Sequence, residues 1–266
     1  MVTTAITSRD NSLLRRAREV RDGKIAESVF VEGLRLCEEA FLSGLKIEAV
    51  IYSDELGRKE KAKKILAELD SVCERLVVVS EALLASISYT KTPQGIVVLA
   101  ARPEMDEEKF KAKQPAKPLL IVMHGINNPV NVGAILRTAE AAGATGAITT
   151  VNSSDPFSPK ALRGAMGSAF RLPIWSNTGY DEILAWCAER GIETVCADGE
   201  ASTSYTDIDW TGAKALIVGP ESTGLSADEV AAANAAVRIP MQGEVESLNV
   251  GVAASILLYE AARQRG

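Results

Sequence analysis

The C-terminal stretch RIPMQGEVESLNVGVAASILLYEAARQR, residues 238–265, decides how the rest of the chain is read. It opens with a very short apolar run that stops at Pro240, the mark of a strand end. A polar loop containing Gly243 follows, and Ser247 stands where a helix N-cap is expected. From there an apolar helix is predicted to about Arg263. Val250, Val252, Ala253, Ala254, Ile256, Leu257 and Leu258 lie on nearly all its sides, so it must be buried on more than one face. The backbone N–H groups of the loop and the helix start are free to meet a ligand.

Upstream the same alternation of short strands and helices recurs. Residues 11–22 read as a basic helix, 28–33 as a strand ending in glycine, 34–42 as a helix and 47–52 as a strand. A charged amphipathic helix over 58–69, a strand over 76–79, a short helix over 81–87 and a strand over 95–100 complete a first α/β domain, residues 1–100. Residues 101–117, ARPEMDEEKFKAKQPAK, carry charge and proline without an apolar period and read as a linker. The second domain, 118–266, has strands at 119–123, 146–150, 194–197 and 215–218. Helices at 131–142, 159–166, 181–190 and 227–234 alternate with them, which predicts a parallel sheet covered on both faces.

The 266 residues carry 47% apolar side chains, so a core forms without disulfides or metal. One histidine and four cysteines (Cys37, Cys73, Cys187 and Cys196) with no CxxC pair exclude a Cys/His zinc site, and no metal is expected. The scattered thiols, the polar N-terminal residues and the lack of an apolar run of spanning length lead to the expectation of a cytoplasmic protein without a membrane partner. A net charge of −6 argues against coating nucleic acid indiscriminately but allows a local basic face. Two such clusters stand out: Arg15, Arg16, Arg18 and Arg21, and later Lys160 and Arg163 followed by Arg171. A solvated helix face accounts equally well for either cluster taken alone.

Four stretches resemble, in order, the motifs of the SpoU (TrmH-like) branch of the SPOUT RNA methyltransferases. NNPVNVGAILRTAEAAGA, residues 127–144, is similar to the first motif. DPFSPKALRGAMGSAFRLPI, residues 155–174, is similar to the segment after it, and LIVGPESTGLS, residues 216–226, to the second motif. The C-terminal stretch is similar to the third. VFVEGLRLCEEAF and SYTKTPQGIVVLA resemble the substrate-binding domain that many of these enzymes carry, which is itself similar to a small α/β fold of ribosomal proteins that bind kinked RNA. Asn11-Ser12 stands where an Asn-Pro is usual. The resemblance implies a SPOUT domain with a C-terminal trefoil knot, a feature periodicity cannot foresee.

The resemblance also implies the site. S-adenosyl-L-methionine would be held by Val218, Gly219, Pro220, Glu221 and Gly224 of the second motif. Ile239, Pro240, Met241, Ser247, Leu248 and Asn249 of the third would complete that site, with Leu248 packed on the adenine. The catalytic set would be Asn131, Arg137, Glu221, Ser247 and Asn249. From spacing alone, Asn131, Gly133 and Arg137 read as a capped helix with a surface arginine, and Ser247 and Asn249 as first-turn residues. Glycine-rich VGPESTGLS lacks the lysine of a P-loop and the spacing of GxGxxG, so neither an ATPase nor a dinucleotide enzyme fits. His124 reads as structural.

The resulting expectation is 2′-O-ribose methylation of structured RNA, with large-subunit 23S rRNA preferred. The alternatives are a tRNA 2′-O-ribose methyltransferase and a non-catalytic RNA-binding protein of the same fold. Both basic clusters become expected RNA contacts. The many-sided apolar surface of the last helix adds a homodimer through the second domain.

Overall fold

The computed structural model describes residues 4–243, 245 and 247–266. Glu244 and Glu246 of the long C-terminal loop lie outside the described residues. The elements in chain order begin β1 (Thr4–Ile6), α1 (Ser12–Arg21), β2 (Ser28–Glu32), α2 (Leu34–Leu42), β3 (Ile47–Ser53), α3 (Asp54–Gly57), α4 (Glu60–Asp70), β4 (Arg75–Val79), α5 (Glu81–Ile87) and β5 (Ile96–Ala101). They continue with α6 (Glu107–Ala112), β6 (Leu119–Met123), α7 (Pro129–Ala141), β7 (Gly146–Thr150), α8 (Pro159–Ala165), α9 (Ser168–Arg171) and β8 (Ile174–Thr178). Last come α10 (Tyr180–Glu189), β9 (Glu193–Ala197), β10 (Thr203–Ser204), β11 (Lys214–Val218), α11 (Ala227–Ala232), β12 (Ala235–Arg238) and α12 (Val250–Arg265).

Two compact units divide the chain: residues 1–104 with 157–171, and residues 105–156 with 172–266. In the first, a five-stranded sheet has the order β1-β4-β3-β5-β2, with β5 antiparallel to both its neighbours. Every residue of β2 is buried, as expected of a strand covered on both faces. Leu14, Ala17, Leu84 and Ile87 of α1 and α5 pack with Phe30, Ile51 and Leu99 on one face. Strand alternation leaves Val31, Val50 and Val98 for the other. Asn11 caps α1, its side chain accepting from Leu13 N at 2.9 Å, so the helix starts at Ser12 without the usual proline.

The arginines of α1 are largely engaged in holding this unit together. Arg16 donates to Ser28 Oγ and Glu48 Oε2, Arg18 to the Arg9 carbonyl, and Arg21 to Asp22 and the Ile87 and Ser88 carbonyls. Only Arg15 of that set is exposed without a partner among the described residues.

The second unit holds a seven-stranded sheet of order β10-β12-β9-β11-β6-β7-β8, with parallel pairing throughout. Two sequence expectations change here. The stretch 101–117 is not simply a linker: Asp106 caps α6, and Phe110 is 0% exposed. Its ring lies 5.9 Å from Trp175 and 5.7 Å from Trp186. A single buried aromatic among charges has no period to betray it. Residues 157–171, which sit inside the second domain in sequence, cluster instead with the first unit. There Phe157, Ala161 and Leu162 are buried, and α8 packs on β2.

The last helix is anchored at its end. Arg265 donates to the backbone carbonyls of Trp210, Lys117, Pro118 and Gly212. Among the described residues no helix is long and apolar enough to cross a membrane.

Candidate active site

Strands β12, β9 and β11 are adjacent and parallel, so their carboxyl ends come out side by side. Chain order reverses in this part of the sheet, because β11 inserts between β6 and β9. Crevices at such switch points bind ligands, since the loops on either side diverge there. A cleft of about 200 Å³ lies at this point. Of the expected cofactor residues, Val218, Gly219, Pro220, Glu221, Gly224, Ile239, Met241, Ser247 and Leu248 line it, whereas Pro240 and Asn249 do not. Ala197, Asp198 and Gly199 at the end of β9 also line it, with Val237, Val250, Ala253 and Leu257. Sequence reasoning missed these. The Asp-Gly after an apolar strand was the available signal, but nothing marked β9 as a neighbour of β11 and β12.

The loop after β11 is shaped by close approach. A Cβ on Gly219 would lie 2.8 Å from Leu225 Cγ and 2.9 Å from the Leu225 backbone nitrogen, so only glycine lets this loop fold back on itself. Gly199 and Gly224 behave oppositely: a Cβ on either meets nothing within 4 Å, and the cleft wall there is bare backbone.

Above the cleft, one amide chain joins the three motif-like stretches. Asn131, only 7% exposed, donates its side-chain amide to Glu221 Oε1. Asn249 donates to Asn131 Oδ1 at 3.4 Å. Asn249 Oδ1 in turn accepts from Gly251 N at 3.0 Å and Val252 N at 3.4 Å. Each amide uses its nitrogen to donate and its oxygen to accept, so every orientation in the chain is consistent. Two cap assignments change with this. Asn249, not Ser247, is the N-cap of α12, and Asn128, not Asn131, caps α7 by accepting from Val130 N. Asn131 lies one turn inside α7, which turns its side chain toward Glu221.

Arg137 follows Asn131 by six residues, about 120° away round the helix axis. It is exposed, has no partner among the described residues and does not line the cleft. His124 does not line it either. Its Nε2 meets Glu229 Oε1 at 2.9 Å, its ring packs on Tyr180, and Glu229 also accepts from Ser226 N at 2.7 Å. The backbone N–H of Ser226, helped by the Ser226 and His124 side chains, holds the Glu229 carboxyl below its usual range. This group ties the end of β6 to α11 and so closes the glycine loop. Lys160 and Arg163 of the later basic cluster are exposed on α8, while Arg171 pairs with Glu39.

The lining suits a ligand with an apolar planar end and a cationic tail. Val218, Val237, Leu248 and Leu257 are apolar, and Asp198 and Glu221 offer carboxylates. Bare backbone at the glycines gives hydrogen-bonding edges. Among the described residues no group of three or more His, Cys, Asp or Glu side chains could hold a metal.

Residues 118–259 match the SpoU rRNA Methylase family, and residues 13–98 match the MRM3-like substrate binding domain. The chain belongs to the SpoU rRNA methylase family. It is 32% identical over 81% of its length to the 23S rRNA (guanosine-2′-O-)-methyltransferase RlmB of a Burkholderia species, covering 88% of that protein. An uncharacterized tRNA/rRNA methyltransferase of Synechocystis is 31% identical over 98% of this chain and 94% of its own. The crystal structure of an AdoMet-bound rRNA methyltransferase from Sinorhizobium meliloti superposes with a TM-score of 0.86 at 28% identity, covering 98% of both chains.

Proposed function

We propose that this chain is an S-adenosyl-L-methionine-dependent RNA 2′-O-ribose methyltransferase whose substrate is large-subunit 23S rRNA. The observation that carries the reading is the Glu221–Asn131–Asn249 chain beside the cleft, which joins three separated stretches into one polar constellation. S-adenosyl-L-methionine supplies a methyl group already activated on a sulfonium. The protein therefore has to bind, orient and exclude water.

Val218, Leu248 and Leu257 would enclose the adenosyl body, and the Asp198 and Glu221 carboxylates complement the positive tail. Pro240 and Asn249, off the cleft lining, would support the loop that holds it. Asn131, Ser247 and Asn249 would orient the ribose that presents its 2′-oxygen. Arg137 would act as a fixed cation that holds a neighbouring phosphate and stabilises the oxyanion developing on the 2′-oxygen. Arg137 serves here as a fixed cation and not as the base. Glu221, fastened to Asn131, organises the loops.

Arg137 is exposed and off its own cleft, and this favours a homodimer through the second unit. Val130, Val252 and Tyr259 of α7 and α12 are also 44%, 49% and 55% exposed, an apolar surface that a second copy would cover. The trefoil knot of SPOUT folds belongs to the same reading. So does a cytoplasmic location, where rRNA is made. RNA affinity would come from the first unit, α8 included, through Arg15, Lys160 and Arg163. Of the remaining expected contacts, Arg16, Arg18 and Arg21 would serve the RNA face indirectly, by fixing α1.

Mapping 2′-O-methyl groups in rRNA and tRNA from cells with and without the gene tests the assignment. One 23S nucleotide should lose its methyl group. A loss confined to tRNA, or no loss at all, would replace the assignment with one of the two alternatives.

A further inference from the structure

The first unit contains a second cleft, of about 340 Å³, formed wholly within that unit by β2, α2, the loop before β5, and α8. This lies at the lower end of the ~300–1,000 Å³ range of small-ligand sites. Its one carboxylate among the described lining residues, Glu32, is 8% exposed and fully engaged. Glu32 accepts from Tyr89 N at 2.8 Å, Thr90 N at 3.2 Å and Thr90 Oγ1 at 2.6 Å. Glu32 therefore pins the 89–92 loop against β2 and offers little free charge to the cleft. Gln94 uses its oxygen on Leu34 N at 3.3 Å, which leaves its amide nitrogen to donate. Thr92 is exposed, with no bond among the described residues.

Two arginines from distant parts of the sequence complete the lining, Arg35 on α2 and Arg163 on α8. Both are exposed and neither has a partner among the described residues. They differ in this from Arg16, Arg18 and Arg21, whose guanidinium groups are bonded within the unit. Met166, in the left-handed region at φ 47°, ends α8 beside the cleft, and with Leu36 it supplies the apolar wall. A non-glycine residue persists in that conformation where the surroundings impose it.

We propose that this cleft binds one unpaired nucleotide of the RNA substrate. Its base lies against Leu36 and Met166 within reach of Thr90, Thr92 and Gln94, and its phosphates lie between Arg35 and Arg163. Two unpaired cations call for an anion, and a wall with only two apolar side chains does not suit a lipid or an apolar peptide. A paired base hides its edges inside the duplex, whereas unpaired bases in loops and bulges can enter a cleft. The inference rests on the RNA-methyltransferase reading and adds to it a point of specificity outside the methyl-transfer site.

The test uses the full-length protein with an in vitro 23S rRNA transcript, native and substituted with 4-thiouridine. The Arg35→Ala/Arg163→Ala variant should bind the transcript at least tenfold more weakly. Its log–log salt slope should be lower by about 0.7 for each lost contact to a single strand. KM for RNA should rise while kcat at saturating RNA and S-adenosyl-L-methionine affinity stay as in the native protein. Ultraviolet cross-links from the thiouridine transcript to the unaltered protein should map to residues 90–94 or 163–166, a readout that does not depend on the variant folding. Unchanged affinity and slope, with cross-links confined to α1 or to the second unit, would overturn the proposal. A native protein that binds the transcript through these residues but transfers no methyl group would instead sink the function and leave the cleft standing.

Discussion

Asn131 and Arg137 belong to one helix and one motif, yet the fold sends them to different places. Asn131 is nearly buried and bridges Glu221 and Asn249. Arg137 is exposed and has no partner among the described residues. Replacing Arg137 with alanine should lower kcat by about 10²-fold or more while calorimetry finds S-adenosyl-L-methionine binding intact. Arg137→Lys should recover little, because a point charge lacks the planar fork. Near-normal turnover with weakened cofactor binding would move Arg137 out of this role. Asn131→Asp makes a different test. It sets a carboxylate against Glu221, and like charges at hydrogen-bond distance raise one of the two pKa values. Cofactor binding should be weaker at pH 8 than at pH 6, because protonation restores a donor between the two oxygens. An affinity independent of pH would show that the bridge does not shape the cleft.

At the scale of the element, α12 is the part whose reading carried furthest. Its apolar run lies where expected, with Ala254, Leu257 and Leu258 all 0% exposed. Its start is two residues later than Ser247 suggests, because Asn249 offers an acceptor to two N–H groups at once. The other end is fastened by charge. Arg263 first, then Gln264, hydrogen-bonds Glu260 and draws its pKa from 4.5 down to about 2. A depressed carboxyl pKa gives stability that is fully present above the unfolded value and is lost as pH falls through the folded one. Thermal stability should therefore fall between about pH 4.5 and pH 2, and Glu260→Gln should flatten that part of the profile. An unchanged profile in the variant would mean that the pair contributes nothing net.

For the whole molecule, the exposed apolar side chains of α7 and α12 predict association. Leu257 is already covered within its own chain, so aspartate there would report on folding and not on pairing. Val252 and Tyr259 are the better probes. Val252→Asp or Tyr259→Asp should give folded protein that light scattering at micromolar concentration shows as a monomer, with methyl transfer falling in step with the dimer fraction. A native protein that is monomeric and still methylates RNA would remove the dimer from the mechanism.

The sequence alone determined the alternation of strands and helices and, through its short motifs, the family to which the chain belongs. These depend on local pattern: apolar periodicity, glycine and proline punctuation, and short motifs whose order along the chain carries information. Four things required the folded chain. Residues 157–171 pack with the first unit, because buried area follows space and not position in sequence. Phe110 is a core residue because Trp175 and Trp186 come to it from elsewhere. Asp198 and Gly199 line the cleft only because β9 lies between β11 and β12. Arg16 and Arg21, alike in sequence to any basic patch, are occupied by acceptors from distant elements and Arg18 by the Arg9 carbonyl before its own helix, while Arg35 and Arg163 have no partner among the described residues beside one cleft. Whether a charge is spent on the fold or kept for a partner depends on which groups tertiary contact brings within about 3 Å of it, and no local pattern encodes that.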